Sequence, residues 1–279
     1  MTRLSSPSAT VFRVRRWGAL LVLACVAASA ATNPEADLLE RTAERAKQFW
    51  DQLSSVAITE NVLQEKLDPK GKVILNNRTT YDYLITVRSD GGGMLVDESR
   101  LATSQGTKKA PQGTLLTTQG FATLMTIFHP QFQPSYTFKI EGEEEMAGRK
   151  MIRVTFAPRN GAPTPAILAL KGRDYPIAWK GTAWIEPQSA SIARLEARWK
   201  DPAEDLGLQS LSSEVQYVPI SFKGRNEPYW LPIMAKIEVQ TRHQHWRNTH
   251  QFSKHRLFNV DAESAVGTGP VNPSGDPQK

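Results

Sequence analysis

Cysteine is almost absent from the chain: Cys25 is the single thiol in 279 residues. A lone thiol forms no internal disulfide, so the fold must rest on its apolar core. Acidic residues are missing before Glu35, whereas Arg3, Arg13, Arg15 and Arg16 crowd the first sixteen positions. Without those four arginines the formal charge of +6 falls to about two, and a nearly neutral remainder lacks the basic face that a nucleic-acid partner requires. Long hydrophobic runs are missing too. The longest, from about Trp17 to Ala28, has about 12 residues against the ~20 that span a bilayer. No βαβ unit, no fixed-period repeat and no composition shift marks a second domain. Catalytic signatures are likewise lacking. No serine sits in a G-x-S-x-G context, and Gly91-Gly92-Gly93 is not followed by a helix start with phosphate-binding spacing.

What is present begins with a secretory signal. A basic n-region, the apolar stretch and the small-residue site Ala28-Ser29-Ala30 predict cleavage near Ala30, leaving a periplasmic or secreted protein. Cys25, preceded by Val22-Leu23-Ala24, partly matches a lipobox, so lipidation there is the one route by which a membrane would become a partner. The expected organisation is a signal over 1–30, a single domain over 31–261 and a disordered Gly-, Pro- and Ser-rich tail over 262–279.

The domain opens on Asn33-Pro34-Glu35, which combines an N-cap, proline at the first helical position and acids in the first turn. Leu39, Ala43, Ala46, Trp50 and Leu53 follow at spacings of three and four, with Leu38 and Phe49 beside them, which predicts an amphipathic helix of about five turns. From residue 56 the period changes to two, and turn residues recur at Asp68-Pro69-Lys70-Gly71, Met146-Ala147-Gly148 and Lys223-Gly224-Arg225-Asn226. Phe121, Leu124, Met125 and Phe128 interrupt this pattern with a second short helix over 118–129. The Pro-rich stretch 158–176 is too long to be a bare connection and reads as functional or partly folded.

The clearest hairpin runs from Trp179 to Trp199. Its second arm alternates Ala193, Leu195, Ala197 and Trp199 against Arg194, Glu196, Arg198 and Lys200, and Trp184 stands on the polar side of the first arm. Gly181, Ala183, Ala193 and Ala197 are small, which predicts room on the apolar face. The short links demand antiparallel neighbours, and about ten strands with one apolar face must curl or be covered. The expected fold is mainly β (α+β): a strongly curved antiparallel sheet, an unclosed half β-barrel of about ten strands, with two helices packed in its mouth.

The segment Gly181-Thr182-Ala183-Trp184-Ile185-Glu186-Pro187, followed by Ile192-Ala193-Arg194-Leu195-Glu196, is similar to a hairpin common in LolA/LolB-type periplasmic lipoprotein carriers and their secreted relatives. The order of elements over residues 33–260 resembles that group as well. The resemblance implies a half barrel that holds acyl chains under a helical lid. Fold and resemblance together lead to a non-enzymatic binding protein for a hydrophobic ligand such as a lipid or acyl chain, with no cofactor. Its inward-facing residues would be Phe49 and Trp50, then Phe121, Leu124 and Phe128, then Ile185, Leu195, Ile233 and Ile237. The alternative is an envelope scaffold or interaction domain, with an envelope protein as partner and a barrel filled by its own side chains. His243 and His245, two apart on one expected strand, invite a metal reading, but no third ligand follows with supporting spacing. Four of the five histidines therefore read as exposed side chains in a polar segment. Glu143, Glu144 and Glu145 read as a solvated hairpin end.

Overall fold

The computed structural model describes residues 34–90, 93–105, 122–170, 173–201, 205 and 207–258. The signal, the N-cap Asn33, the expected ligand residue Phe121 and the tail lie outside the described residues. No helix among the described residues is long and apolar enough to cross a membrane.

Helix α1 spans Pro34–Ser54 and carries Glu35 and Asp37 in its first turn, where acids complement the helix dipole. Its buried side is Leu38, Thr42, Ala43, Ala46, Phe49, Trp50 and Leu53; this is the stripe expected from spacing except that Leu39 is only half-buried and Thr42 joins it. Thr42 is tolerated there because its hydroxyl donates to the Leu38 carbonyl at 2.8 Å, which satisfies its polar atom locally.

Twelve strands follow: β1 (Val56–Leu67), β2 (Val73–Asp90), β3 (Gly93–Gln105), β4 (Tyr136–Met146), β5 (Arg149–Pro158), β6 (Ile167–Leu170), β7 (Arg173–Pro176), β8 (Trp179–Ile185), β9 (Ile192–Trp199), β10 (Leu208–Ile220), β11 (Tyr229–Thr241) and β12 (His245–Leu257). Ten of them form one sheet in the order β3-β2-β1-β12-β11-β10-β9-β8-β5-β4, and β6-β7 is a separate hairpin inside the Pro-rich stretch. Nearly every neighbour is the next strand in sequence, as short links require. Two pairings join strands that are not consecutive: β5 pairs with β8 across the Pro-rich stretch, and the last strand, β12, zips antiparallel onto the first, from Val56 opposite Leu257 to Leu67 opposite His245. Two meanders, β1-β2-β3 and β4 to β12, are thereby joined into a single sheet whose edges β3 and β4 remain unpaired with each other.

One face of this sheet is apolar. In β1 burial alternates strictly from Val56 to Gln64, and the same face supplies Tyr83 and Ile85 from β2, Ala183 and Ile185 from β8, Leu195 from β9 and Val215 and Tyr217 from β10 to one contiguous core. Ten strands at ~4.8 Å spacing would make a flat sheet ~43 Å wide, far more than one helix of ~10 Å diameter covers. A single core from β2 to β4 is the packing of a sheet curled around its cover. The result is the open half barrel that the strand pattern predicts.

The second helix differs from its expected form. The described part, Ala122–Phe128, is a 3-10 helix. Thr123, Thr126 and Ile127 are β-branched and favour α-helix poorly, and Pro130 ends the run. With about three residues per turn, Leu124, Met125, Ile127 and Phe128 all become buried.

The Trp179–Trp199 hairpin forms with the two tryptophans directly opposite each other. Its small residues leave no room, contrary to expectation. A side chain on Gly181 would place Cβ 1.8 Å from the Glu196 carbonyl oxygen, so the glycine serves a close approach of two backbones. Ala193 sits at the register shift between Trp184 and Ile185 and packs with Trp184 and Met151 in a small cluster of its own. Arg194 caps that cluster 5.0 Å above the Trp184 ring. The β4-β5 turn takes positive φ at Ala147 (51°) and Gly148 (75°), the backbone a tight hairpin needs.

Gly181→Val is expected to lower stability by about 3 kcal/mol through forced separation of β8 and β9, read as the urea midpoint at unchanged m-value. Ala183→Gly, beside it, is expected to cost about 1 kcal/mol.

Candidate functional site

The residues expected to line a ligand chamber mostly fill it instead. Phe49 meets Trp50 edge-on at 5.3 Å and Tyr217 at 5.6 Å. Phe128 packs on Phe138 at 5.1 Å and Phe156 at 5.7 Å. Leu124, Ile185 and Leu195 are fully buried, and Ile237 is buried at the β11 end of the same core. Ile233 is the exception. It is half-buried and falls where the β10-β11 register passes from Gln216–Met234 to Tyr217–Pro232. Pro232 cannot donate to the ladder, and the bulge it sits in turns Ile233 out of the inward row; Leu231 and Ala235 take the core positions.

An opening does exist on the concave side, at the margin of α1. A cleft of about 390 Å³ lies between the N-terminal half of α1, the segment 130–134 and the start of β4. Leu39, Ala43, Pro130, Pro134, Tyr136 and Phe138 give it an apolar wall, and Glu40, Glu44, Gln133 and Arg159 stand at its rim. Its frame is fixed by polar contacts to backbone. Gln133 Nε2 donates to the Leu39 carbonyl at 2.9 Å, and Arg159 Nε donates to the Pro134 carbonyl at 3.1 Å. The Tyr136 hydroxyl, buried in this wall, has no hydrogen-bond partner among the described residues. Burial pushes its ionisation upward, so at neutral pH it is a protonated donor.

On another side of α1, two arginines tie the helix to the sheet. Arg45 Nε donates to the Ser189 carbonyl at 3.0 Å and its Nη1 to Glu227 at 2.9 Å. Arg41 reaches the Pro187 and Gln188 carbonyls at 3.3 Å. All these acceptors lie in the β8-β9 turn or beside β11.

Sequence reasoning missed a charged cluster inside the sheet. Glu60 of β1 has a fully buried side chain that accepts from Arg100 Nε at 2.6 Å and from Arg100 Nη2 at 3.2 Å. His250 Nδ1 of β12 lies 2.7 Å from the same carboxylate. Arg100 also pairs with Glu98 at 2.9 Å and stacks 4.8 Å over the Tyr83 ring, while Tyr83 is hydrogen-bonded to Glu98. Burial alone would raise the Glu60 carboxyl, but the bonds from His250 and Arg100 outweigh it and hold the group below its ordinary value. Burial, reinforced by Glu98, pushes the Tyr83 phenol far upward. The available signal was parity: Glu60 and Gln64 share the inward row of Val56, Ile58 and Val62. This cluster binds β3, β1 and β12 together across β2.

His250 is therefore buried against the Glu60 carboxylate rather than exposed. His245 is half-buried against Glu238 at 2.7 Å, and His255 meets the Pro232 carbonyl at 3.0 Å. His243 lies exposed in the β11-β12 turn, ahead of the strand, so it does not share a strand face with His245. No group of three His, Cys, Asp or Glu side chains that could hold a metal occurs among the described residues. The acidic run at the end of β4 is solvated, with Glu143 and Glu144 reaching Lys150 and Arg153 at 3.4 and 3.7 Å.

Fold and cleft define a class: an unclosed, curved antiparallel sheet with helices over its concave face. No family model matches the chain, and no curated protein matches it either. Among solved structures the chain is similar to a DUF1329 family protein from Desulfovibrio piger, at 13% identity over 81% of this chain and 95% of that one, with a TM-score of 0.38. It is similar to an outer membrane lipoprotein-sorting protein domain from Vibrio parahaemolyticus (13% identity, 83% and 96% covered, TM-score 0.39). A LolA superfamily protein from Nitrosomonas europaea is a third such structure (10% identity, 78% and 94% covered, TM-score 0.32).

Removing one partner of a buried ion pair strands the other. Arg100→Met is expected to destabilise by about 3–5 kcal/mol, measured by denaturant unfolding. The sign of the pH dependence follows from Glu60. A carboxyl held below its ordinary 4.5 contributes stability that is present above that pH and lost as pH falls through its folded value. Glu60→Gln should lower Tm at neutral pH, and its difference from the wild type should narrow below about pH 4.5.

Proposed function

We propose that the protein is a non-enzymatic binding protein of the cell envelope, periplasmic or secreted, that holds a lipid or acyl chain on the concave side of its sheet. The observation that carries this reading is the cleft between α1 and β4. Its volume of about 390 Å³ lies within the range of small-molecule sites, which are mostly apolar with a few placed polar groups. Leu39, Ala43, Pro134 and Phe138 supply the apolar wall. The buried Tyr136 hydroxyl, without a partner among the described residues, supplies one donor for the carbonyl of an ester or acid. A chain entering there would run along α1 toward Phe49 and Trp50, so deeper entry requires the N-terminal half of α1 to rise. That half is held to the β8-β9 turn by Arg41 and Arg45 through contacts that are exposed or half-exposed, whereas its C-terminal half is pinned by buried aromatic packing. Exposed polar contacts of this kind are worth little, so the N-terminal half is the end that opens at low cost.

The packed interior favours a second reading. With Phe49, Trp50, Leu124, Phe128, Ile185 and Leu195 filling the barrel, the protein would be an envelope interaction domain whose core is its own and whose partner is another envelope protein.

The two readings separate on uptake of a fluorescent fatty acid and on native mass spectrometry of the purified protein. The carrier reading expects uptake by the wild type and a loss of at least tenfold in Leu39→Trp, which fills the cleft from the half-buried margin of α1. Tyr136→Phe should weaken binding several-fold at unchanged Tm. An unlabelled, lipid-free wild type that takes up no fatty acid, or a Leu39→Trp variant that binds as well as the wild type, overturns the carrier reading.

A further inference from the structure

The sheet also carries an open groove of about 670 Å³ on its other, polar face, lined by side chains of β4, β5 and β8 to β11. It shares only Phe138 of β4 with the lining of the α1 cleft and is independent of the acyl-chain reading. Two rows of side chains cross its floor. One runs Thr155, Thr182, Glu196, Glu214, Lys236 across five strands. The next runs Lys180, Arg198, Ser212, Glu238, two residues further along and so ~7 Å away.

Each row holds a directly opposed pair of like charges, an arrangement that destabilises a sheet. The fold answers one of them. Glu196 and Glu214 share Arg194, whose Nη2 contacts Glu196 and lies 3.0 Å from Glu214. Glu238 is likewise engaged, by His245 at 2.7 Å and Lys236 at 3.7 Å. The other pair is left as it stands: among the described residues neither Lys180 nor Arg198 forms an ion pair or a side-chain hydrogen bond. Lys180 is half-buried and Arg198 exposed, so repulsion is retained at the groove floor where a neutral residue would relieve it.

We propose that this groove binds a soluble phosphorylated sugar-like molecule, with its phosphate between Lys180 and Arg198. A guanidinium fork and an ammonium point charge together suit a phosphate. The surrounding wall suits the rest of such a ligand, because Thr182 and Ser212 donate or accept, and Glu196 and Glu238 accept from sugar hydroxyls. The same acids make a membrane the wrong source of the phosphate: Glu196, Glu214 and Glu238 would face an anionic bilayer at the same groove.

The test is calorimetric titration of the whole protein with glucose 6-phosphate, glucose and inorganic phosphate, and flotation with phosphatidylglycerol vesicles. Glucose 6-phosphate should bind, weakening with added salt, and glucose should bind at least tenfold more weakly. Lys180→Gln and Arg198→Gln should each reduce glucose 6-phosphate binding at least tenfold. Both variants should melt at or about 1–3 °C above the wild type, since each removes a like-charge contact; a loss of binding is then not a loss of folding. Fatty-acid uptake should be unchanged in both, whatever its level in the wild type, so the two sites stand or fall separately. Absence of glucose 6-phosphate binding, equal binding of glucose, wild-type binding by Arg198→Gln, or binding to vesicles alone would each overturn the proposal.

Discussion

The architecture depends on the pairing of β1 with β12. Each meander alone would present a long strand with an unpaired row of amides, β1 in one and β12 in the other. Joined from Val56–Leu257 to Leu67–His245, they become the interior of a sheet wide enough to curl. Everything that the protein could use follows from that curl. The concave face gains a single core that α1 can cover, the margin of α1 gains a cleft, and the polar face gains a floor of opposed charges.

The same seam explains why charge is tolerated inside. Glu60 comes from β1 and His250 from β12, so their contact forms only in the correct pairing and register. A slip of one residue would turn Glu60 to solvent and leave His250 and Arg100 buried without it. Arg100 extends the constraint to the edge strand β3. A buried ion pair is weak evidence of stability; here its geometry ties three strands to one register, including the pairing of the first strand with the last, which no short turn enforces.

Much of the fold was legible because alternation and turn chemistry are local. The stripe of α1, the hairpins at Ala147-Gly148 and Pro187–Ala190, and the paired Trp179 and Trp199 all follow from spacing. Three things were not. Pairing of β1 with β12 is decided by residues about 190 positions apart, where pattern carries no register. Ile233 reads as inward by parity, but a bulge at Pro232 shifts the count. The interior was expected to be roomy because Gly181, Ala183 and Ala197 are small, whereas backbone approach and the neighbouring large side chains consume that space. The candidate sites were legible in part. Leu39 and Ala43 both lie on the predicted stripe, and Lys180 and Arg198 lie on the polar parity. Their meeting in a cleft and in a directly opposed pair needed the three-dimensional register.

The β1-β12 seam also governs the order in which the molecule can be made. A chain that emerges N-terminus first has α1 and the β1-β2-β3 hairpins available long before their partner exists, since β12 ends at Leu257. Closing so long a loop is entropically slow. Until it closes, the outer edge of β1 and the apolar underside of α1 are exposed to other chains. The nascent protein is therefore most vulnerable to aggregation when almost complete, and the last thirteen strand residues, His245–Leu257, convert it from a sticky pair of fragments into a single body.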